Sequence, residues 1–271
     1  MKTPLSYYGG KQTLAKLILG LIPEHRVYCE PFLGGAAIFF AKQPSKVEII
    51  NDTNGEIINF YEVLKRDFTA LEKEAAISLH SRKQHRQARV VYENPDMFDR
   101  IKRAWAIWML ANSSYGKNLD GGFSYSRTTG GATKALANKR LNFSEDYAVR
   151  LQNVQIECCD ALKIIRSRDS VEAFFYCDPP YVGADQGHYD GYSQEDFDGL
   201  LSLLETVKGK FLLSSYRNKS LSDFAKRNGW HSIEIKMFNS MTCGRGSKPI
   251  KKVEVLTANY PIKAPEKIDC I

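Results

Sequence analysis

The chain has 271 residues, 43% of them hydrophobic and 25% charged, with a formal net charge of +7 and a pI near 9.0. That length holds one large α/β domain with a sizeable insertion, and the basic balance favours a polyanionic partner without demanding one. No apolar run approaches ~18 residues, Met1-Lys2-Thr3-Pro4 does not read as a signal peptide, and the six cysteines show no CxxC spacing. A membrane span and a Cys-based metal centre are therefore excluded, and a reducing cytoplasm is expected.

Tyr7-Tyr8-Gly9-Gly10-Lys11 opens a helical pattern with Leu14, Leu17, Ile18 and Leu21 on one face and Pro23 at its end. It is not a phosphate-binding loop, because Leu5 and Gln12 stand where that motif needs glycine and a hydroxyl residue. Val27 to Glu30 reads as a short strand, followed by Pro31, Phe32, the Gly34-Gly35 turn and a helix from Ala36 to Lys42. Strand, glycine turn and helix is how α/β sheets hold a nucleotide-like cofactor, and the absence of GxGxxG disfavours NAD. A second strand, Lys46 to Asp52, ends in an acid that either accepts from both ribose hydroxyls of a cofactor or caps the helix starting near Asn54.

From about Glu56 to about Asn112 the pattern is helical. His80 to Arg89 is a dense basic run within it, expected as a solvated helix face whose Arg82, Lys83, Arg86 and Arg89 would contact the phosphates of a polyanionic partner if they touch one at all. Trp105, Trp108 and Met109 are expected in the core. Asn112 to Gly131 is polar, glycine-rich and aromatic, and reads as a hairpin or exposed loop turning at Asp120-Gly121-Gly122. Its Tyr115, Lys117, Asn118, Phe123, Tyr125 and Arg127 carry the groups that base edges and gaps in a base stack require.

A third strand, Val154 to Asp160, also ends in an acid, and Ala173 to Asp178 forms a fourth, buried one. Val182 to Tyr192 is a loop with Gly183, Gly187 and Gly191, suited to closing over a ligand. A helix from Ser193, a strand from Lys210 to Ser214 and a helix ending at Gly229 follow. Trp230 to Phe238 and Lys251 to Asn259 read as strands joined by the basic loop Asn239 to Ile250. The fourth strand delivers Asp178-Pro179-Pro180-Tyr181, in which the prolines have fixed φ and no amide donor. A carboxylate, a spare carbonyl and an aromatic face suit a planar ring bearing an exocyclic amino group.

Taken together, Tyr7 with Gly9-Gly10-Lys11, Glu30-Pro31-Phe32 with Gly34-Gly35, the strand-terminal Asp52 and Asp160, Asp178-Pro179-Pro180-Tyr181 and the closing Val253 to Asn259 make the chain resemble the Dam-type DNA adenine methyltransferases. The resemblance covers most of the chain. It implies an α/β fold, a Rossmann-like seven-stranded class I methyltransferase sheet, with an inserted, mostly helical target-recognition domain and hairpin at 57–152 between catalytic segments 1–56 and 153–271. It implies S-adenosylmethionine as cofactor, contacted by Tyr7, Lys11, Asp52 and Asp178, with Glu30, Pro31, Phe32 and Gly34 around its methionine part and Asp160 at its adenine. No metal is implied. The turn departs from the family's usual Gly-x-Gly, since Ala36 follows Gly34-Gly35.

By the same resemblance the substrate is an adenine in double-stranded DNA, flipped out of the duplex with Tyr181 stacked on it. Asp178 and the Pro179 carbonyl would accept the amino hydrogens, with Pro180 and Tyr181 completing the catalytic motif. A cytosine-N4 methyltransferase would use the same amine logic, and a catalytically silent DNA-binding module is the reading from another class. The recognition sequence and a cognate restriction endonuclease stay open.

Overall fold

Ala173–Cys177 is apolar and buried at every position, as expected of a strand covered on both faces. It is the middle strand of a seven-stranded sheet in a computed structural model that describes residues 1–183, 191–238 and 251–263. The strands are β1 (Val27–Glu30), β2 (Val47–Asn51), β3 (Val154–Glu157), β4 (Ala173–Cys177), β5 (Lys210–Tyr216), β6 (His231–Phe238) and β7 (Lys251–Ala258). Their order across the sheet is β3-β2-β1-β4-β5-β7-β6. β1 and β5 run parallel to β4, with Cys29 opposite Phe175 and Cys177 opposite Leu213. β7 is antiparallel to both β5 and β6, and its register sets Glu254 opposite Tyr216. The strand order reverses between β1 and β4. Glu30 and Asp178 thus stand at the carboxyl ends of adjacent parallel strands, the edge at which open α/β sheets bind ligands.

The helices are α1 (Ala15–Leu21), α2 (Ala37–Ala41), α3 (Gly55–Arg66), α4 (Phe68–Ala76), α5 (Arg82–Glu93), α6 (Arg100–Ser113), α7 (Gly131–Leu141), α8 (Asp146–Leu151), α9 (Ala161–Arg168), α10 (Gln194–Leu204) and α11 (Lys219–Asn228). These agree with the sequence pattern except at α7 and α8, which it does not announce. For α7 the reason is physical: Leu136 is its one buried residue, so no apolar period exists there to be read, whereas α8 buries Tyr147, Ala148 and Leu151 but spans only six residues.

Packing divides the chain into two compact units, Met1–Ala15 with Leu33–Pro44 and Ile50–Cys158, and Lys16–Phe32 with Ser45–Ile49 and Cys159–Ile271. This differs from the expected boundaries at 56/57 and 152/153, which grouped the N-terminal segment and the glycine turn with the sheet. Backbone groups of that segment are instead tied to the helical unit. The Ser6 N–H donates to Asn112 Oδ1 (3.1 Å), Asn112 Nδ2 donates to the Pro4 carbonyl (3.2 Å), and the Tyr147 hydroxyl donates to the Lys2 carbonyl (3.0 Å). Within that unit α6 is buried from Ala104 to Ser113 and packs against α3, α4 and α5, with Trp105, Trp108 and Met109 in the core as expected. The second unit has its own core, in which Phe175, Phe211 and Leu213 of the sheet meet Phe197, Leu201 and Leu204 of α10.

Residues 184–190 of the expected closing loop and the basic loop 239–250 lie outside the described residues, as do Cys243 and Cys270. Cys29 and Cys177 are buried free thiols. Among the described residues no helix is long and apolar enough to cross a membrane.

Candidate active site

In the second unit, β4 ends at buried Cys177, so Asp178 leaves the sheet at its carboxyl edge, half-buried, followed by buried Pro179. The Tyr181 hydroxyl donates to Asp178 Oδ1 (3.1 Å) and also lies against the Glu254 carboxylate. The Tyr181 ring packs edge-on to Tyr216 with centroids 4.5 Å apart. Burial, and then the nearby Asp178 and Glu254 charges, push the Tyr181 phenol well above its ordinary pKa, so it stays protonated and donates. Burial followed by the Asp178 charge likewise raises Cys177, which makes it an inert thiol. At the end of β1, the Tyr28 hydroxyl donates to buried Glu30 Oε2 (2.8 Å). Pro31 is buried, and Phe32 sits edge-on to Tyr192 with centroids 6.4 Å apart. Asp160 is exposed and caps α9, its Oδ1 accepting from the Lys163 N–H (3.0 Å).

Glu254 was not assigned a role by the sequence. Its signal is a carboxylate inside the apolar strand Val253-Glu254-Val255-Leu256, buried in the structure and turned to the Tyr181 hydroxyl.

In the first unit the glycine turn is built around Asp52, which is 3% exposed. Its Oδ2 accepts from the Gly34 N–H (2.8 Å) and its Oδ1 from the Asn54 N–H (2.9 Å). The cap of α3 is Asn54, whose Oδ1 accepts from Glu56 and Ile57, which corrects the sequence alternative that gave this role to Asp52. Gly34 has φ +47° and Ala36 φ +54°, so an alanine occupies a left-handed position, at a cost of about 1–2 kcal/mol. Tyr7 lies on this turn: a Cβ on Gly34 would come 2.9 Å from its ring, and one on Gly35 would come 2.5 Å from its Cβ. Lys11, nearly buried, donates to the Gly9 carbonyl (3.0 Å).

The segment after α6 forms a short hairpin. Ser124 N–H donates to the Ser113 carbonyl (2.8 Å) and Tyr115 N–H to the Gly122 carbonyl (2.7 Å). The reversal is at Asn118–Gly121, closed by Gly121 N–H to the Asn118 carbonyl (2.9 Å), rather than at the expected Asp120-Gly121-Gly122. Asn118 Oδ1 accepts from the Asp120 N–H (3.1 Å). Tyr115 and Tyr125 are 66% and 54% exposed, and Arg127 is exposed. Phe123 is half-buried beneath His80, at 4.6 Å between centroids. Lys117 Nζ lies 3.4 Å from the Asn112 carbonyl, and burial lowers its pKa. The basic run does not behave as a uniformly solvated face. Lys83 and Arg86 are exposed, but Arg89 donates to the Leu119 and Gly121 carbonyls of the hairpin.

Residues 7–238 match the family described as D12 class N6 adenine-specific DNA methyltransferase. The chain belongs to this family. Among its relatives, type II methyltransferase M1.LlaDCHI of Lactococcus lactis subsp. cremoris is 27% identical, over 93% of this chain and 93% of the relative. Type II methyltransferase M.MjaIII of Methanocaldococcus jannaschii is 27% identical over 73% of this chain and 75% of the relative. A DNA adenine methylase of Vibrio cholerae is 28% identical over 66% and 64%. The protein is thus an enzyme, an adenine-specific DNA methyltransferase that uses a methyl donor, and neither a cytosine-N4 methyltransferase nor a silent binding module. Its seven-stranded order and mixed α/β architecture are those of a Rossmann-like class I methyltransferase. Among the described residues no cluster of His, Cys, Asp or Glu could hold a metal ion.

Proposed function

We propose that this methyltransferase transfers the methyl group of S-adenosylmethionine to N6 of an adenine swung out of duplex DNA. The observation that carries the reading is Asp178: a carboxylate at the carboxyl end of the middle strand, followed by buried Pro179 and already accepting from Tyr181. The chain's acceptor-rich chemistry suits the proposed cofactor, whose hydroxyl, amino and sulfonium groups call for acceptors and negative charge. Tyr7, Lys11, Gly34 and Asp52 of the first unit, and Glu30, Pro31, Phe32, Asp160 and Asp178 of the second, are the binding residues proposed for it.

The amino lone pair of adenine is conjugated into the ring, which makes N6 a poor nucleophile. Asp178 and the Pro179 carbonyl, by accepting its two hydrogens, draw N6 toward a tetrahedral geometry and leave the lone pair exposed. S-adenosylmethionine, when bound, supplies a methyl group already activated on sulfur, so the chain mainly has to position the amine. The methylated nitrogen must then lose one proton, and the Asp178 carboxylate hydrogen-bonded to it is the base within reach. Tyr181 steadies that carboxylate with its hydroxyl and offers its ring to the base. Residues 57–152 form the proposed target-recognition domain, and Tyr115, Lys117, Asn118, Phe123, Tyr125 and Arg127 the proposed DNA contacts. The type II names of two relatives favour a restriction-linked role with a cognate endonuclease, and a cytoplasmic location suits the free thiols of Cys29 and Cys177.

The test is transfer of tritiated methyl groups from S-adenosylmethionine to duplex DNA, followed by nucleoside analysis. Label is expected in N6-methyladenine with the wild-type protein, and none above background with Asp178→Ala of unchanged melting temperature. Near wild-type transfer by Asp178→Ala would overturn the site.

A further inference from the structure

Arg82, His85 and Arg89 stand three and four residues apart on α5, so they share one stripe of that helix. The stripe grips the hairpin. Arg89 Nη2 donates to the carbonyls of Leu119 (3.3 Å) and Gly121 (2.7 Å), both within the reversal at the tip, while Nη1 lies 3.6 Å from Glu93. His85, 5% exposed, has Nε2 at 2.9 Å from Ser114 Oγ on the outgoing strand. The Arg82 guanidinium lies 5.2 Å over the Phe123 ring and 5.3 Å over that of Tyr125, on the returning strand. Just before the helix, His80 Nε2 lies 2.9 Å from the Ser124 carbonyl.

The hairpin needs such support. Its two strands share a single isolated bridge, Ser114 to Phe123, and a two-stranded hairpin is marginal on its own. A guanidinium holding two backbone carbonyls and a second one lying over two rings are restraints, not phosphate contacts waiting for DNA. Lys83 and Arg86 are exposed.

We propose that Arg89, with Arg82 and His85, is a positioning residue that determines sequence specificity: it fixes the geometry in which the 114–125 hairpin meets base edges, while Lys83 and Arg86 make the sequence-independent phosphate contacts. The proposal rests on the reading of that hairpin as the element that reads DNA.

Methylation of a pool of duplexes with randomised sequence, read by single-molecule sequencing, reports preference independently of how much active enzyme is present. Arg89→Ala is expected to lower the ratio of preferred to singly altered sites by roughly tenfold, with the salt dependence of DNA binding retained. Arg89→Lys, which keeps the charge but not the planar fork, should do the same. Replacing Lys83 and Arg86 together by Ala should leave the preference intact and make the slope of log K against log salt shallower by about 1–2. A wild-type preference in Arg89→Ala overturns the proposal, as does an altered preference in the Lys83/Arg86 variant. Should Arg89→Ala not fold, Arg82→Ala, at an exposed position, decides in the same way. Arg127→Ala and Tyr115→Ala separate the two levels. If both leave the preference untouched, the hairpin does not read DNA and the proposal falls with that reading. If they alter it and the α5 variants do not, the proposal alone fails.

Discussion

The Tyr181 hydroxyl stands between two acids, 3.1 Å from Asp178 Oδ1 and in contact with the Glu254 carboxylate. Sheet topology brings this about: β7 runs antiparallel to β5, which sets Glu254 opposite Tyr216, the ring against which Tyr181 packs. One phenolic proton serves two acceptors, and the raised pKa of Tyr181 keeps that proton in place. A hydrogen bond to a charged acceptor is worth about 1.5–3 kcal/mol. Tyr181→Phe, which keeps the ring, is therefore expected to slow single-turnover methylation by roughly 10- to 100-fold with little change in affinity for DNA. An unaltered rate would show that the ring alone matters.

Gly35 has no room for a side chain, since its Cβ would lie 2.5 Å from the Cβ of Tyr7, an atom next to the backbone that cannot swing aside. Gly35→Ala should displace Tyr7 and cost about 1–3 kcal/mol of stability, the usual range for overpacking. If Tyr7 is part of the cofactor site, calorimetry should also record a weaker affinity for S-adenosylmethionine. Unchanged values for both would mean that the turn relaxes freely.

The sheet was legible because its signals are local and strong: apolar runs such as Ala173 to Cys177, each closed by an acid or a turn. The acids Glu30, Asp52 and Asp178 could be placed at strand ends for the same reason, whereas Asp160, expected to close the third strand, lies beyond the end of β3 at Glu157 and caps α9. The partnerships could not. That Asp52 braces Gly34, that Glu254 faces Tyr181 and that Arg89 holds Gly121 are contacts between residues 18, 73 and 32 positions apart. In the basic run of α5 Lys83 and Arg86 are exposed as expected, and Arg89 departs because composition alone cannot tell a cation turned to solvent from one turned to a backbone carbonyl.

The grip of α5 should make stability depend on pH. Burial, then the charges of Arg89 and Arg82, lower the pKa of His85 from 6.5 to about 4. Between these values the unfolded chain binds the proton and the folded one does not, so the stability that the neutral imidazole contributes is complete above pH 6.5 and lost as pH falls toward 4. The loss is on the order of 3 kcal/mol. Urea unfolding from pH 7 to pH 4 should show a shallower fall for His85→Gln than for the wild type, and parallel curves would contradict this.

The three aromatic candidates for the gap left by a flipped adenine are not equivalent. Phe123 is committed to the protein, packed at 4.6 Å from His80 and 5.7 Å from His85 between ring centroids, with Arg82 above it. Tyr125 shares that arginine. Tyr115 is held only by its backbone, whose N–H donates to Gly122, and its ring is 66% exposed. Stacking of an aromatic side chain against bases is worth about 1–3 kcal/mol. Tyr115→Ala is therefore expected to reduce the fluorescence rise of 2-aminopurine placed at the target adenine and to slow methylation by roughly 10- to 100-fold, at unchanged melting temperature. Phe123→Ala should instead lower the melting temperature, because it removes a half-buried ring from beneath α5. If Tyr115→Ala keeps the full fluorescence signal and rate while Phe123→Ala loses them with its stability intact, Phe123 must leave α5 to enter the stack, and the packing seen here would be that of the free enzyme alone.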